Sequence, residues 1–235
     1  MIRKIKKAIK KMIYPNYYCN EAYVNYLRKK GGKIGERTFF YDIMSRPVDE
    51  TSIALVRIGD DCRITAGAYI LAHDYSYAVL RQTHHKMLCK TAYTTIGNNV
   101  FIGLKSIIMP GATIGNNVVV AAGSVVTGRI PDNVVIGGNP AKIICSLEEY
   151  HNKLLDHFED YAVIAYKNKT ETMGRPIIEK DMGWYNQLWS CEGKMSIYNG
   201  MTVDGDDKQK VIEDVMRVEP KYNSFDEFKS AHGLE

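Results

Sequence analysis

Isoleucine or valine occupies positions 58, 64 and 70, and then 96, 102, 108, 114, 120 and 126. The step of six matches neither the 3.6-residue period of a helix nor the two-residue period of an ordinary strand. Other positions keep the same step. Gly59, Gly97, Gly103 and Gly115 follow the aliphatic residue directly, and the small side chains Cys62, Ala68, Ser106, Ala112 and Ser124 come three positions after that. Asn/Asp pairs recur at Asp60-Asp61, Asn98-Asn99 and Asn116-Asn117. Each hexad therefore reads as one short flat strand and a corner. The aliphatic residue points inward and stacks on its counterpart one coil away. The small residue fits where the wall bends, and Gly and Asn take the positive φ of a tight corner. Three such sides make a coil of about 18 residues, so the pattern predicts a parallel β-helix.

The flanks follow other rules. Residues 2–13 (IRKIKKAIKKMI) place Ile2, Ile5, Ile9, Met12 and Ile13 on one helical face, and Pro15 ends the pattern. Residues 17–33 read as a second short helix stopped by Gly31-Gly32. The repeat begins at Ile34, is irregular through 57 with a loop around Arg46–Glu50, is regular from 58 to 73, breaks from Asp74 to Tyr93, and resumes at Ile96. Leu147, Tyr150, Leu154, Phe158, Tyr161 and Ala165 predict a helix over 147–168. Beyond it only a helix near 207–217 is legible. The fold expected is mainly β, with an N-terminal helical segment (1–33), a β-helix domain (34–145) and a mixed or helical C-terminal extension (146–235).

Charge changes the picture along the chain. Residues 1–33 hold ten basic residues against one acid, 34–145 ten against eight, and 146–235 eleven against eighteen. The basic first helix has two readings: a helix packed on the body with a solvated charged face, or a membrane-surface helix drawn to anionic lipid through residues 1–13. No nucleic acid is expected, because aromatics are not interleaved with the basic residues and no reading motif is present. No apolar run reaches the ~18 residues of a membrane span, and no apolar stretch follows the basic start as in a signal peptide. Five scattered cysteines (19, 62, 89, 145 and 191) without CxxC spacing suggest a reducing cytoplasm, with the inner face of the membrane as its extension if the first helix docks there.

A β-helix is mostly scaffold, so chemistry is expected where the repeat breaks. His73 stands at the last regular position before the break. His84 and His85 lie inside it, where a lone histidine is more often solvated than functional. Asp74 follows His73 and is a candidate to orient it.

The run Ile96-Gly97-Asn98-Asn99, then Ile108-Met109-Pro110-Gly111-Ala112, then Ala121-Ala122-Gly123-Ser124, then Ile136-Gly137-Gly138-Asn139-Pro140-Ala141-Lys142 strongly resembles the hexapeptide-repeat acyltransferases. The likeness covers roughly 34–145 and is nearest to galactoside, maltose and polysaccharide O-acetyltransferases. It implies a left-handed parallel β-helix, a homotrimer with the active site between subunits, and acetyl-CoA as co-substrate. The left hand comes from the family alone, against the usual right-handed crossover. The resemblance makes His73 the general base that takes the proton of an acceptor hydroxyl, with no covalent acyl-enzyme. It carries acetyl-CoA contacts onto Leu104, Ala122, Thr127, Gly128 and Lys142, and an acceptor-binding role onto Asp42; in such a site Asp74 is a second candidate, to hold a sugar hydroxyl. Cys145 stands where the galactoside enzymes of the family have an arginine.

The function expected is acetyl transfer to a sugar or glycan hydroxyl. The alternatives are N-acetylation of an amino sugar or antibiotic, a zinc lyase of the γ-carbonic-anhydrase type, and a non-catalytic scaffold. Adjacent His84-His85 without a third spaced histidine argue against a metal centre.

Overall fold

The computed structural model describes residues 2–189 and 203–234; Cys191 lies outside them. The chain divides into two units, Met1–Tyr150 and His151–Glu235.

The first unit is built from three parallel walls. In the first wall Ile34, Ile58, Ile96, Ile114 and Ile130 stack in register. In the second the column is Phe40, Ile64, Ile102, Val120 and Ile136. In the third it is Ile70, Ile108 and Val126, with Val48 bridged above Ile70. All these side chains are buried and form one core. A buried aliphatic side chain contributes about 1.5–3 kcal/mol, so the columns are the main stabilising element of the unit. The small residues Cys62, Ala68, Ser106, Ala112 and Ser124 are fully buried at the bends.

The corners carry a division of labour finer than positive φ alone. Asp61, Asn99, Asn117 and Asn133 take left-handed φ between 53° and 60°. Asn99 and Asn117 each donate a side-chain N–H to the amide oxygen one coil on, both at 2.9 Å. The preceding residue of each pair accepts a backbone N–H from its neighbouring coil, as Asn98 does from Asp60 at 2.8 Å. The glycine before the pair answers a different need. A Cβ on Gly97 would lie 2.6 Å from the Gly115 carbonyl oxygen, so close approach of coils, not positive φ, excludes a side chain there.

Helix α1 spans Ile2–Ile13 and α2 spans Asn20–Lys29. Tyr23, Val24 and Leu27 of α2 are buried against the prism end. The apolar face of α1 finds no such cover: Ile5, Ile9, Met12 and Ile13 are exposed. The break at 74–93 is not structureless. It holds α3 (Tyr77–His84), and its ends are pinned by a bridge between His73 and Thr91 and by the Ala92 N–H donating to the Ala72 carbonyl at 3.0 Å.

Strand Ala141–Ser146 turns back antiparallel on Val134–Gly138 and closes the prism. The helix expected over 147–168 is two helices, α4 (Leu147–Asp156) and α5 (Phe158–Met173), because the chain leaves helical geometry at His157. In the second unit α5, α6 (Lys208–Met216) and α7 (Phe225–Ala231) gather their own core around Tyr166, Met182, Trp189, Ile212, Phe225 and Phe228. Among the described residues no helix is long and apolar enough to cross a membrane.

Candidate active site

Val48 lies one coil above Ile70 in the third wall, and the Asp49 N–H donates to the Ile70 carbonyl at 2.9 Å. This register sets Asp49 at the corner above His73, 24 residues away in sequence. His73 Nδ1 is hydrogen-bonded to Asp49 Oδ2, and Ser52 Oγ lies 3.2 Å from the same nitrogen. Asp49 is buried and fully engaged. Its Oδ2 also accepts from the Ala72 N–H at 3.2 Å, and its Oδ1 accepts from the N–H groups of Thr51 and Ser52 at 3.1 and 3.2 Å. Burial pushes its pKa up, but the hydrogen bonds from His73, the Ala72 and Ser52 backbone and Thr51 outweigh burial and hold the carboxyl below its ordinary value.

An ionised Asp49 fixes the imidazole tautomer. With the proton on Nδ1 donated to the carboxylate, the Nε2 lone pair is left free to accept a proton. His73 borders a cleft of about 520 Å³ with Arg46, Glu50, Tyr69, Leu71, Asp74 and Tyr75 on its walls. Tyr75 stands edge-on to the His73 ring at 4.7 Å between centroids. Glu50 is held by the hydroxyls of Tyr17 at 3.0 Å and Tyr26 at 2.9 Å.

The residues expected from sequence fall in several places. Asp74 lines the cleft, but its carboxylate accepts from Ser76 N–H at 3.0 Å and Ser76 Oγ at 2.6 Å. Asp49, not Asp74, orients His73. Asp42 caps the short turn Ile43–Ser45 through the Ser45 N–H at 3.3 Å and does not line the cleft. Thr127 and Gly128 follow the third-wall strand Val125–Val126, so they share the His73 corner, exposed and two coils on. Leu104 and Ala122 lie at the corner between second and third walls, exposed on adjacent coils, with the Gly123 N–H donating to the Leu104 carbonyl at 2.7 Å. Lys142 is exposed opposite Gly137 on the returning strand, and Cys145 pairs with Val135 there. His84 and His85 are exposed at the end of α3. Among the described residues no three His, Cys, Asp or Glu side chains are placed to hold a metal ion.

Sequence reading missed Asp49, Glu50, Arg46 and Tyr69. The usable signal was Val48. Placed one coil above Ile70, it puts Asp49 at the corner, but the two extra residues of the turn at 43–45 hide the phase.

Comparison with known proteins agrees with this architecture. A family described as "Hexapeptide repeat of succinyl-transferase" matches residues 53–72 and 93–128. Protein CapG of Staphylococcus aureus is 43% identical over 143 residues, 61% of this chain and 82% of that protein. Galactoside O-acetyltransferase of Escherichia coli (strain K12) is 40% identical over 112 residues, 45% of this chain and 54% of that protein. Among solved structures, a galactoside acetyltransferase in complex with coenzyme A is 28% identical, covers 54% of this chain and 70% of its own, and has a TM-score of 0.42. With its stacked hexads and the extended match to CapG, this chain belongs to the hexapeptide-repeat acetyltransferase family, whose prisms wind left-handed and whose members take their acetyl group from acetyl-CoA.

Proposed function

We propose that the protein transfers the acetyl group of acetyl-CoA to a hydroxyl of a sugar or glycan, with His73 as general base and Asp49 as its orienting carboxylate. The observation that carries this reading is the buried Asp49 bonded to Nδ1 of a histidine on a cleft wall, which leaves Nε2 basic. The acceptor O–H gives its proton to Nε2 as its oxygen attacks the thioester carbonyl. The tetrahedral intermediate collapses, the C–S bond breaks, and the imidazolium returns the proton to the departing CoA sulfur. Base assistance of this kind is worth ~10²–10⁴ in rate. Asp49 also stabilises the imidazolium that forms in passing.

The cleft supports a sugar as acceptor. Tyr69 and Tyr75 offer exposed aromatic faces, and Asp74 and Glu50 offer acceptor oxygens for hydroxyls. The galactoside acceptor of the E. coli relative is of the same class. Leu104, Ala122, Thr127, Gly128 and Lys142 are proposed for acetyl-CoA. They flank the outer face of the third wall on both of its corners, or lie on the strand that closes the prism, and Lys142 suits the nucleotide phosphates. Asp74 is the proposal for the acceptor side, since Asp42 caps the Ile43–Ser45 turn and lies outside the cleft lining.

A homotrimer fits the exposed apolar groups of the third wall and the excursion. Tyr69, Val79, Met87 and Leu88 are all exposed in a single chain, with Val79 at 66%. A threefold arrangement that covers them would complete the cleft with a second subunit. A cytoplasmic location is part of the same proposal, and the supply of acetyl-CoA and the free thiols of Cys19, Cys62, Cys89 and Cys145 support it.

The experiment is thiol release from acetyl-CoA with a panel of sugar acceptors, for the wild type and His73→Ala. Loss of roughly 10²-fold or more in kcat with CoA affinity kept is expected. Equal turnover in the variant would overturn His73 as the base. Turnover with amines alone would replace the hydroxyl acceptor by an amino group.

A further inference from the structure

Helix α1 has a composition that the acetyl transfer does not use. Residues 2–13 hold six basic residues and no acid, and the first acidic residue of the chain is Glu21. The apolar residues gather on one face, and Ile5, Ile9, Met12 and Ile13 are exposed, Met12 to 78%. No described side chain of α1 is buried. A helix of about 12 residues is marginal in water without a surface to pack on. Amphipathic composition, an exposed apolar stripe and unopposed positive charge complement one kind of surface, the headgroup boundary of an anionic bilayer.

The helix is also tied to the cleft. The chain turns directly after α1, with the Tyr17 N–H donating to the Tyr14 carbonyl at 3.0 Å. Tyr17 then bonds Glu50 through its hydroxyl at 3.0 Å, and the Arg46 guanidinium lies 5.3 Å from its ring centroid. Glu50 and Arg46 both line the cleft. The C-terminal end of α1 therefore sits within a few residues of the cleft wall.

We infer that α1 docks the protein on an anionic lipid surface, apolar face in the headgroup boundary and lysines toward lipid phosphate. Because the helix ends beside the cleft, docking holds the site close to that surface. Joined to the proposed acetyl transfer, on which this last step alone rests, the acceptor is a glycan carried at the membrane rather than a freely diffusing sugar.

The test uses the full chain and the variant Ile9→Glu/Met12→Glu, sedimented with vesicles of phosphatidylcholine alone or mixed with phosphatidylglycerol, at low and high NaCl. The wild type should bind the mixed vesicles roughly ten-fold or more better than the neutral ones, lose binding in high salt, and exceed the variant by a similar factor. Turnover of a water-soluble acceptor should be equal in the two proteins, which separates docking from catalysis. Equal vesicle binding by wild type and variant, or no preference for phosphatidylglycerol, would overturn the inference. So would a smaller assembly for the variant in light scattering, because a second copy of the chain would then be what covers this face.

Discussion

Replacing Asp49 by asparagine keeps the shape of the side chain and changes what His73 is told to be. In the wild type, one carboxylate oxygen meets two backbone N–H donors, Thr51 and Ser52, and the other meets Ala72 N–H and His73 Nδ1. An amide has one oxygen and one NH₂ to place there. With the NH₂ at the Thr51/Ser52 end, two backbone donors lose their acceptor. With the NH₂ at the other end, only the Ala72 N–H does, and the NH₂ can donate to the imidazole. The second arrangement costs less, since each buried polar group left unsatisfied is worth about 1–3 kcal/mol. It forces the proton off Nδ1 and onto Nε2, so the base faces the acceptor with its lone pair used. Asp49→Asn should therefore lower kcat by roughly 10²–10⁴, as expected when a catalytic histidine is held in the wrong tautomer. KM for acetyl-CoA should stay within about two-fold, because no proposed CoA residue touches Asp49. Thiol release under steady state gives both constants. In a His73→Ala background the same substitution should cost little more, since the two act as one unit. A folded Asp49→Asn protein with kcat within about three-fold of wild type would refute the pairing as the source of basicity.

Two further predictions follow from the same geometry. The Asp49 carboxyl titrates lower in the folded chain than in the unfolded one, so its contribution to stability is complete above the unfolded value near ~3.9 and is lost as pH falls through the folded value. Urea titrations at pH 6 and below pH 4 should show wild type losing more stability on acidification than Asp49→Asn. Ile102 is fully buried between Ile64 and Val120, and Ile102→Ala should cost about 2–5 kcal/mol by urea denaturation, with the near side of the range expected if the flanking coils relax into the cavity.

The repeat was legible because each hexad solves its own problem locally. An aliphatic residue, a glycine, a small residue and an Asn recur, and every coil repeats the same environment, so one pattern reports on all of them. His73 could be singled out for the same reason: it stands where the pattern stops. Other expectations failed where neighbours decide. Gly97 looked like a residue needed for positive φ, but the coil below determines it through close approach. The helix over 147–168 carried an unbroken apolar spacing, yet two helices form, and the spacing alone gave no sign of the change at His157.

By itself the sequence determined the prism, its three aliphatic columns, the break after Ile70 and the candidate base, because these depend on which residues recur and at what interval. Only the tertiary structure decided what that base is bonded to. Asp49 belongs to the one irregular coil, and nothing in its local sequence separates it from Asp42 or Asp74. The stacking of Val48 on Ile70 brings it to the His73 corner, where the hydrogen bond to His73 and three backbone N–H donors outweigh the cost of burial and keep it ionised. A periodic pattern reports contacts within a coil and between equivalent positions. A carboxylate that meets a histidine across two coils of unequal length is fixed by register, and register exists only once the chain has folded.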